Sequence, residues 1–210
     1  YETRSMSQDR GRGFTLDAMD VNESNFVATA GAVMGEFQRT HVVPEVDAYN
    51  LSKIYANTPA ANVKTYTPAE STVFGQIKKD IAAVRDLVGG GVRLMIHISN
   101  AALSILELTT QFTRNASIVE LGSGDIKTKL RGIDGDPFIP TGGTLMKTAF
   151  DFWAGSADTK TGSTGAEVYT DKKAGGFAPK ADAKAINWLI IPENAPISVC
   201  KQDLVRVFTP

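Results

Sequence analysis

Apolar positions along the chain change period several times, and each change marks an element. The first 24 residues are polar and glycine-interrupted, with almost no apolar period before Phe14. Phe14 and Leu16 then alternate with Thr15 and Asp17, the pattern of a short half-buried strand. This reads as an extended arm or the limb of a long hairpin, with a frayed terminus as the competing description. A helix is predicted to begin after Asp20, where Asp20 and Glu23 make a capping-box pair and an acidic first turn. Phe26, Val27, Ala30, Val33, Met34 and Phe37 follow helical spacing, and Val46, Tyr49, Ile54 and Tyr55 continue it. Pro44 removes a donor and crowds the preceding turn, so the helical run over 23–57 should bend or restart within 41–44.

Residues 58–67 have the composition of a linker. Thr67, Pro68 and Glu70 follow as N-cap, first-turn proline and capping-box glutamate. They predict a helix carrying Val73, Phe74, Ile77, Ile81, Val84 and Val88 on one face and ending at Gly89–Gly91. Residues 92–98 alternate as a strand, and Ser99 with Asn100 caps a helix bearing Leu103, Ile105 and Leu106. Helix, strand and helix in succession predict an α+β fold, a mixed sheet with helices packed on it. The remainder is β-rich. Residues 126–133 read as a strand, Asp134–Gly135 as a turn, and Phe138 and Ile139 as a strand before Pro140. Residues 155–182 read as a long loop, 185–191 as a buried strand, and 196–199 and 204–208 as short strands. There is no internal repeat.

Composition narrows the picture. The chain has 210 residues, 42% hydrophobic and 21% charged, which suits one large or two small globular domains and excludes a disordered or collagen-like chain. A net charge of −1 excludes a general polyelectrolyte for nucleic acid, which needs clustered Lys and Arg. One cysteine, Cys200, excludes a disulfide framework or a cysteine zinc site within the chain. Only two histidines, His41 and His97, far apart in the chain, argue against a histidine metal centre. No apolar run approaches the length of a membrane span. The chain opens at Tyr1 without Met, so it is expected to be a fragment, a processed product or a trimmed chain. Its polar start excludes a signal peptide within these residues.

The sharpest catalytic motif is SIVELGSGD, residues 117–125, an apolar strand followed by Glu120-Leu-Gly-Ser-Gly124. It resembles the first motif of adenosylmethionine-dependent methyltransferases, where glycines admit the cofactor. The next segment, IKTKLRGI, alternates with period 2, whereas a nucleotide turn must open a helix that aims amide donors at the ligand. No phosphate-loop sequence occurs. Asp134, Gly135 and Asp136 lack the later ligands of a calcium loop and are followed by Pro137, so a tight turn is expected. His97 reads as a structural histidine on a strand, His41 as a cation near a helix end, and Cys200 as an inert thiol. Neither a catalytic residue nor a cofactor is therefore predicted, and the chain does not read as an enzyme.

The order of ordinary features carries a resemblance. SQDRGRGFTLDAMDVNES, followed by NFVATAGAVMGEFQRTHVVPEVDAYNLSKIYA, resembles the major capsid proteins of tailed bacteriophages and prophages of Gram-positive bacteria. VRLMIHISNAALSIL, GIDGDPFIPT, LMKTAFDFWAGS, the GGF at Gly175–Phe177 and the stretch AKAINWLIIPENAPISVCKQDLVRVFTP follow in the family's order. The resemblance implies the Johnson capsid fold. An extended β arm would occupy 1–24, the spine helix of a peripheral domain 25–60, and a mixed α/β axial domain with return strands 61–210. It implies a structural subunit that forms the pentamers and hexamers of an icosahedral shell, the virion capsid, assembled in the bacterial cytoplasm. Its implied partners are further copies of itself, scaffolding and portal proteins, and packaged double-stranded DNA held without sequence-specific recognition; no membrane is involved. Members of the family usually carry an arm before the position of Tyr1, and many continue past Pro210, so a truncated subunit is expected.

The subunit-contact candidates lie in the arm: Asp9, Arg10, Arg12, Phe14 and Asp17. A limb bearing both charge signs, here with Asp20 as well, can pair with complementary patches on a neighbour and fix register more than affinity. The alternatives are the methyltransferase, resting on Glu120–Gly124, and an encapsulin-type shell protein of the same fold.

Overall fold

A computed structural model describes Met19 and residues 29–123, 126–153, 160–161, 168–169, 176–193 and 206–209. The chain falls into two compact units, one of 1–46 with 152–178 and the other of 47–151 with 179–210. The boundary between the units falls between Val46 and Asp47, within a continuous helical run.

That run comprises helix α1 (Ala30–Phe37), a π-helical turn over Gln38–Val42 and helix α2 (Val43–Asn57). Thr29 caps α1, its hydroxyl accepting from the Ala32 N–H at 3.3 Å. The expected capping pair, Asp20 and Glu23, lies outside the described residues. Pro44 explains the π turn. Its ring excludes the Thr40 carbonyl from the usual place, and the Val43 N–H reaches back five residues to the Gln38 carbonyl. The expected irregularity beside Pro44 is thus present as a wide turn, and the helix continues through it. His41 consequently sits mid-helix, its ring 5.2 Å from that of Phe37, and not at a helix end.

The larger unit is α+β. Its seven-stranded mixed sheet runs β1–β11–β10–β2–β5–β4–β3. These strands are β1 (Val63–Thr65), β2 (Leu94–Ser99), β3 (Ser117–Ser123), β4 (Ile126–Ile133), β5 (Asp136–Thr141), β10 (Trp188–Pro192) and β11 (Arg206–Thr209). β2 and β5 are parallel neighbours, so the chain must cross over between them. Helices α4 (Asn100–Leu108) and α5 (Thr110–Asn115) and the β3–β4 hairpin make that crossing.

Both faces of the central strands are covered. Trp188 and Ile190 of β10, with Leu94, Ile96 and Ile98 of β2, pack beneath Ile77, Ile81 and Val84 of α3 (Val73–Val88), Leu106 of α4 and Phe112 of α5. On the opposite face Leu189 and Ile191 pack with Leu51 and Ile54 of α2, Met146 and Ile186. Two-sided burial accounts for the near-continuous apolar run expected over 185–191; the strand itself is Trp188–Pro192, while Ala185 pairs alone with Lys147.

Several expectations are corrected. α3 starts at Val73, although Thr67–Glu70 carries the stronger helix-start signal. The Tyr66 carbonyl accepts from Asn187 Nδ2 at 2.7 Å, its ring packs edge-on against Trp188 at 5.3 Å, and its hydroxyl meets Thr72 Oγ1 at 2.6 Å. These contacts hold the chain extended past Pro68, and helical bonding begins at the Ala69 carbonyl. Within the expected linker, a 3-10 turn (Ala60–Asn62) leads into β1, which pairs in parallel with β11. β3 runs to Ser123, which pairs with Ile126 of β4, so Gly122 of the glycine motif lies within a strand. Part of the expected 155–182 loop is strand: β7 (Lys160–Thr161) with β8 (Val168–Tyr169), and β9 (Gly176–Pro179) with β6 (Phe150–Trp153). The expected strand over 196–199 lies outside the described residues; the one over 204–208 is found at Arg206–Thr209.

Among the described residues no helix is long and apolar enough to cross a membrane.

Candidate functional site

The five predicted contact residues, Asp9, Arg10, Arg12, Phe14 and Asp17, lie outside the described residues. Three features of the remaining surface carry charge or exposed apolar area in an ordered way: a helix stripe, a β ribbon and an ionic clasp.

The stripe belongs to the first half of the helical run. None of α1 or the π turn is buried, and the first buried residue is Ala48. Met34, Val42, Val43 and Val46 are between 39% and 52% exposed. Eight residues of ordinary helix at about 100° each would carry Val42 about 80° round from Met34. The π turn contains one residue more than an α turn, which brings Met34, Val42 and Val46 back onto nearly one line.

The ribbon is the β3–β4 hairpin. β4 pairs with β5 only through Gly132 and Ile133, so the hairpin leaves the sheet beyond them. Gly132 permits the close approach of β4 to its neighbours at that junction. A Cβ there would meet the Asp136 carbonyl oxygen and come within 2.6 Å of Val119 Cγ2. Directly opposed residues share a face, which puts Ile118, Glu120 and Gly122 together with Arg131, Lys129 and Lys127. Lys127 Nζ lies 3.6 Å from Glu120 Oε2, and Arg131 Nη1 lies 3.0 Å from Glu107 Oε1. The strand that follows Gly122 stands where the methyltransferase motif requires a helix.

The clasp sits where the β4–β5 turn meets α3 and the start of β2. Asp134 and Gly135 both take positive φ, 55° and 88°, as a two-residue hairpin turn requires. The turn aims Asp136 inward, where it is 1% exposed. Its Oδ1 accepts from the Leu94 N–H at 2.9 Å, and its Oδ2 accepts from Arg85 Nη2 at 2.7 Å. Asp134 pairs with Lys78, and its Oδ2 lies 3.9 Å from Arg85 Nη1. Arg93 extends the cluster, donating to the Glu120 carbonyl at 2.8 Å and approaching Glu193 at 3.8 Å. Burial pushes the Asp136 carboxyl above its usual range, against the opposing pull of the Leu94 N–H and the Arg85 charge. Each of these carboxylates faces a cation, and that of Asp136 a backbone donor as well, so the arrangement fastens a hairpin.

Asp134 and Gly135 form the expected turn and Asp136 begins β5, but nothing local in the sequence signals the clasp. Arg85 and Asp136 stand 51 residues apart, and only the fold joins them. The alternating Lys127, Lys129 and Arg131 were legible as a strand pattern. His97 lies on the α2-covered side of β2, half-buried, and burial lowers its pKa against a raising influence from Asp47. Among the described residues no three His, Cys, Asp or Glu side chains are grouped to hold a metal ion.

Comparison of the chain with protein-family models, with curated proteins and with solved structures finds no match.

Proposed function

We propose that this chain is a structural subunit of a phage or prophage capsid, acting through repeated contacts with copies of itself. The observation that supports this reading best is the exposed apolar stripe on the long helix. The helical run has no fully buried residue before Ala48, and aligned apolar exposure of this kind marks interaction surfaces. The sequence resemblance supplies the class of assembly, and the α+β body with a long early helix accords with it. Shell subunits work by many weak contacts, so complementary surfaces matter more than a cleft.

An encapsulin-type compartment makes the same demand on the subunit and differs in what it encloses. Electron microscopy of the expressed protein, with the enclosed contents extracted and identified, tests both. Closed shells containing double-stranded DNA support the capsid reading, whereas shells enclosing a protein cargo favour the compartment. A chain that stays monomeric at every concentration tested and binds adenosylmethionine would overturn both in favour of the methyltransferase. Val42→Asp with Val46→Asp is expected to leave the fold intact and to suppress shell formation.

A further inference from the structure

Lys127, Lys129 and Arg131 occupy alternate positions of β4, and alternate residues of a strand point to one face. All three are exposed; the Lys127 and Arg131 side chains remain 61% and 63% accessible even within their ion pairs. Their Cα positions span about 14 Å at ~3.4 Å per residue. The carboxylates on or beside this face, Glu120 and Glu107, pair with the two outer cations. Lys129 has no ion pair among the described residues. Exposed pairs of this kind are worth only about 0–1 kcal/mol, so they yield readily to a denser anion.

We propose that this face of the β3–β4 ribbon is a contact surface for the phosphate backbone of double-stranded DNA. Duplex DNA carries one negative charge per ~1.7 Å of axis, counting both strands, so a short row of exposed cations finds phosphates within reach. The hairpin leaves the sheet after Gly132, so the row stands on a two-stranded ribbon that a duplex can approach. The contact is local on a chain of net charge −1, which predicts weak, sequence-independent and strongly salt-dependent binding. This inference rests on the capsid reading for the choice of double-stranded DNA. It is measured on unassembled chain, so either can fail while the other stands.

The test is fluorescence anisotropy of a labelled duplex of about 30 base pairs, titrated at several salt concentrations from about 50 mM upward. Three phosphate contacts predict a slope of log Kobs against log[salt] near −2.7, falling in magnitude by about 0.9 for each cation removed. Lys129→Gln, Lys127→Gln/Lys129→Gln and the triple variant with Arg131→Gln should follow that series, with thermal unfolding confirming that each is folded. An unchanged slope in the folded triple variant overturns the proposal, as does absence of binding at the lowest salt. Displacement by polyglutamate as effective as by unlabelled duplex at equal charge also overturns it, in favour of an acidic protein partner.

Discussion

Arg85 Nη2 donates to Asp136 Oδ2 at 2.7 Å, joining α3 to the first residue of β5. The other oxygen of the same carboxylate accepts from the Leu94 N–H at the start of β2. One buried side chain therefore ties three elements at a single end of the sheet. It also anchors the turn from which the cationic ribbon departs.

Breaking that tie should be costly. Arg85→Ala leaves the Asp136 carboxylate buried without its cation, and loss of one partner of a buried pair costs about 3–5 kcal/mol. Arg85 is itself 27% accessible, so the lower end of that range is expected. Urea denaturation of Arg85→Ala against the parent measures it. Arg85→Ala/Asp136→Asn should recover part of the loss, because the amide is neutral and its oxygen can still accept from Leu94.

The pH dependence follows from the same group. Burial raises the Asp136 pKa, so the native state holds this proton more tightly than the unfolded chain, whose value is about 3.9. Its contribution is fully present below about pH 3.9 and is lost as pH rises through the native value. The parent should therefore gain stability relative to Asp136→Asn as pH falls from neutral toward 4. His97 works in the opposite direction. Its pKa is lowered, so its contribution is present above about 6.5 and lost as pH falls through the native value. Denaturation of the parent, Asp136→Asn and His97→Gln across this range separates the two, and a parent that loses ground to Asp136→Asn on acidification would contradict the assignment.

Local signals predicted local structure well and tertiary ties poorly. The alternation over 126–133 and the Asp134–Gly135 turn are legible because each depends on residues adjacent in the chain. Ser99 is a helix cap by the same logic, its hydroxyl accepting from the Ala102 N–H. Thr67–Glu70 misled because Asn187, far along the chain, captures the Tyr66 carbonyl. β1 escaped notice because three residues carry no measurable period and its pairing depends on β11. The π turn was half legible, since Pro44 marks a disturbance and the i−5 bond is one of several ways a helix can absorb it. Neither the stripe nor the clasp was legible, since one needs the helix phase after the π turn and the other a contact across 51 residues.

Gly132 offers a sharp test of packing against a control on α3. An added Cβ at Gly132 meets backbone of Asp136 and the Val119 side chain, neither of which can move freely. Gly132→Ala should destabilise by about 1–3 kcal/mol, as overpacking does. Gly75, the third residue of α3, has nothing within 4 Å of the same position. Gly75→Ala should stabilise by roughly 0.5–1 kcal/mol through helix propensity alone. Thermal unfolding of the two variants should move in opposite directions.

The last prediction joins Pro44 to the assembly stripe. Proline forces the π turn by denying the Thr40 carbonyl its usual space, and the extra residue in that turn aligns Met34 with Val42 and Val46. Pro44→Ala restores a backbone donor and removes the ring, so an ordinary α-helix over 38–44 becomes the favoured path. The stripe would then break, with Met34 turned about 80° away from Val42. Helicity and thermal stability should rise modestly, because alanine is the better helix former by up to about 3 kcal/mol in an unrelieved interior and less here. Assembly should weaken at the same time. Circular dichroism and sedimentation velocity on Pro44→Ala read the two effects separately. A variant that is more helical yet assembles as well as the parent would show that the alignment of Met34 with Val42 and Val46 is not what the contact uses.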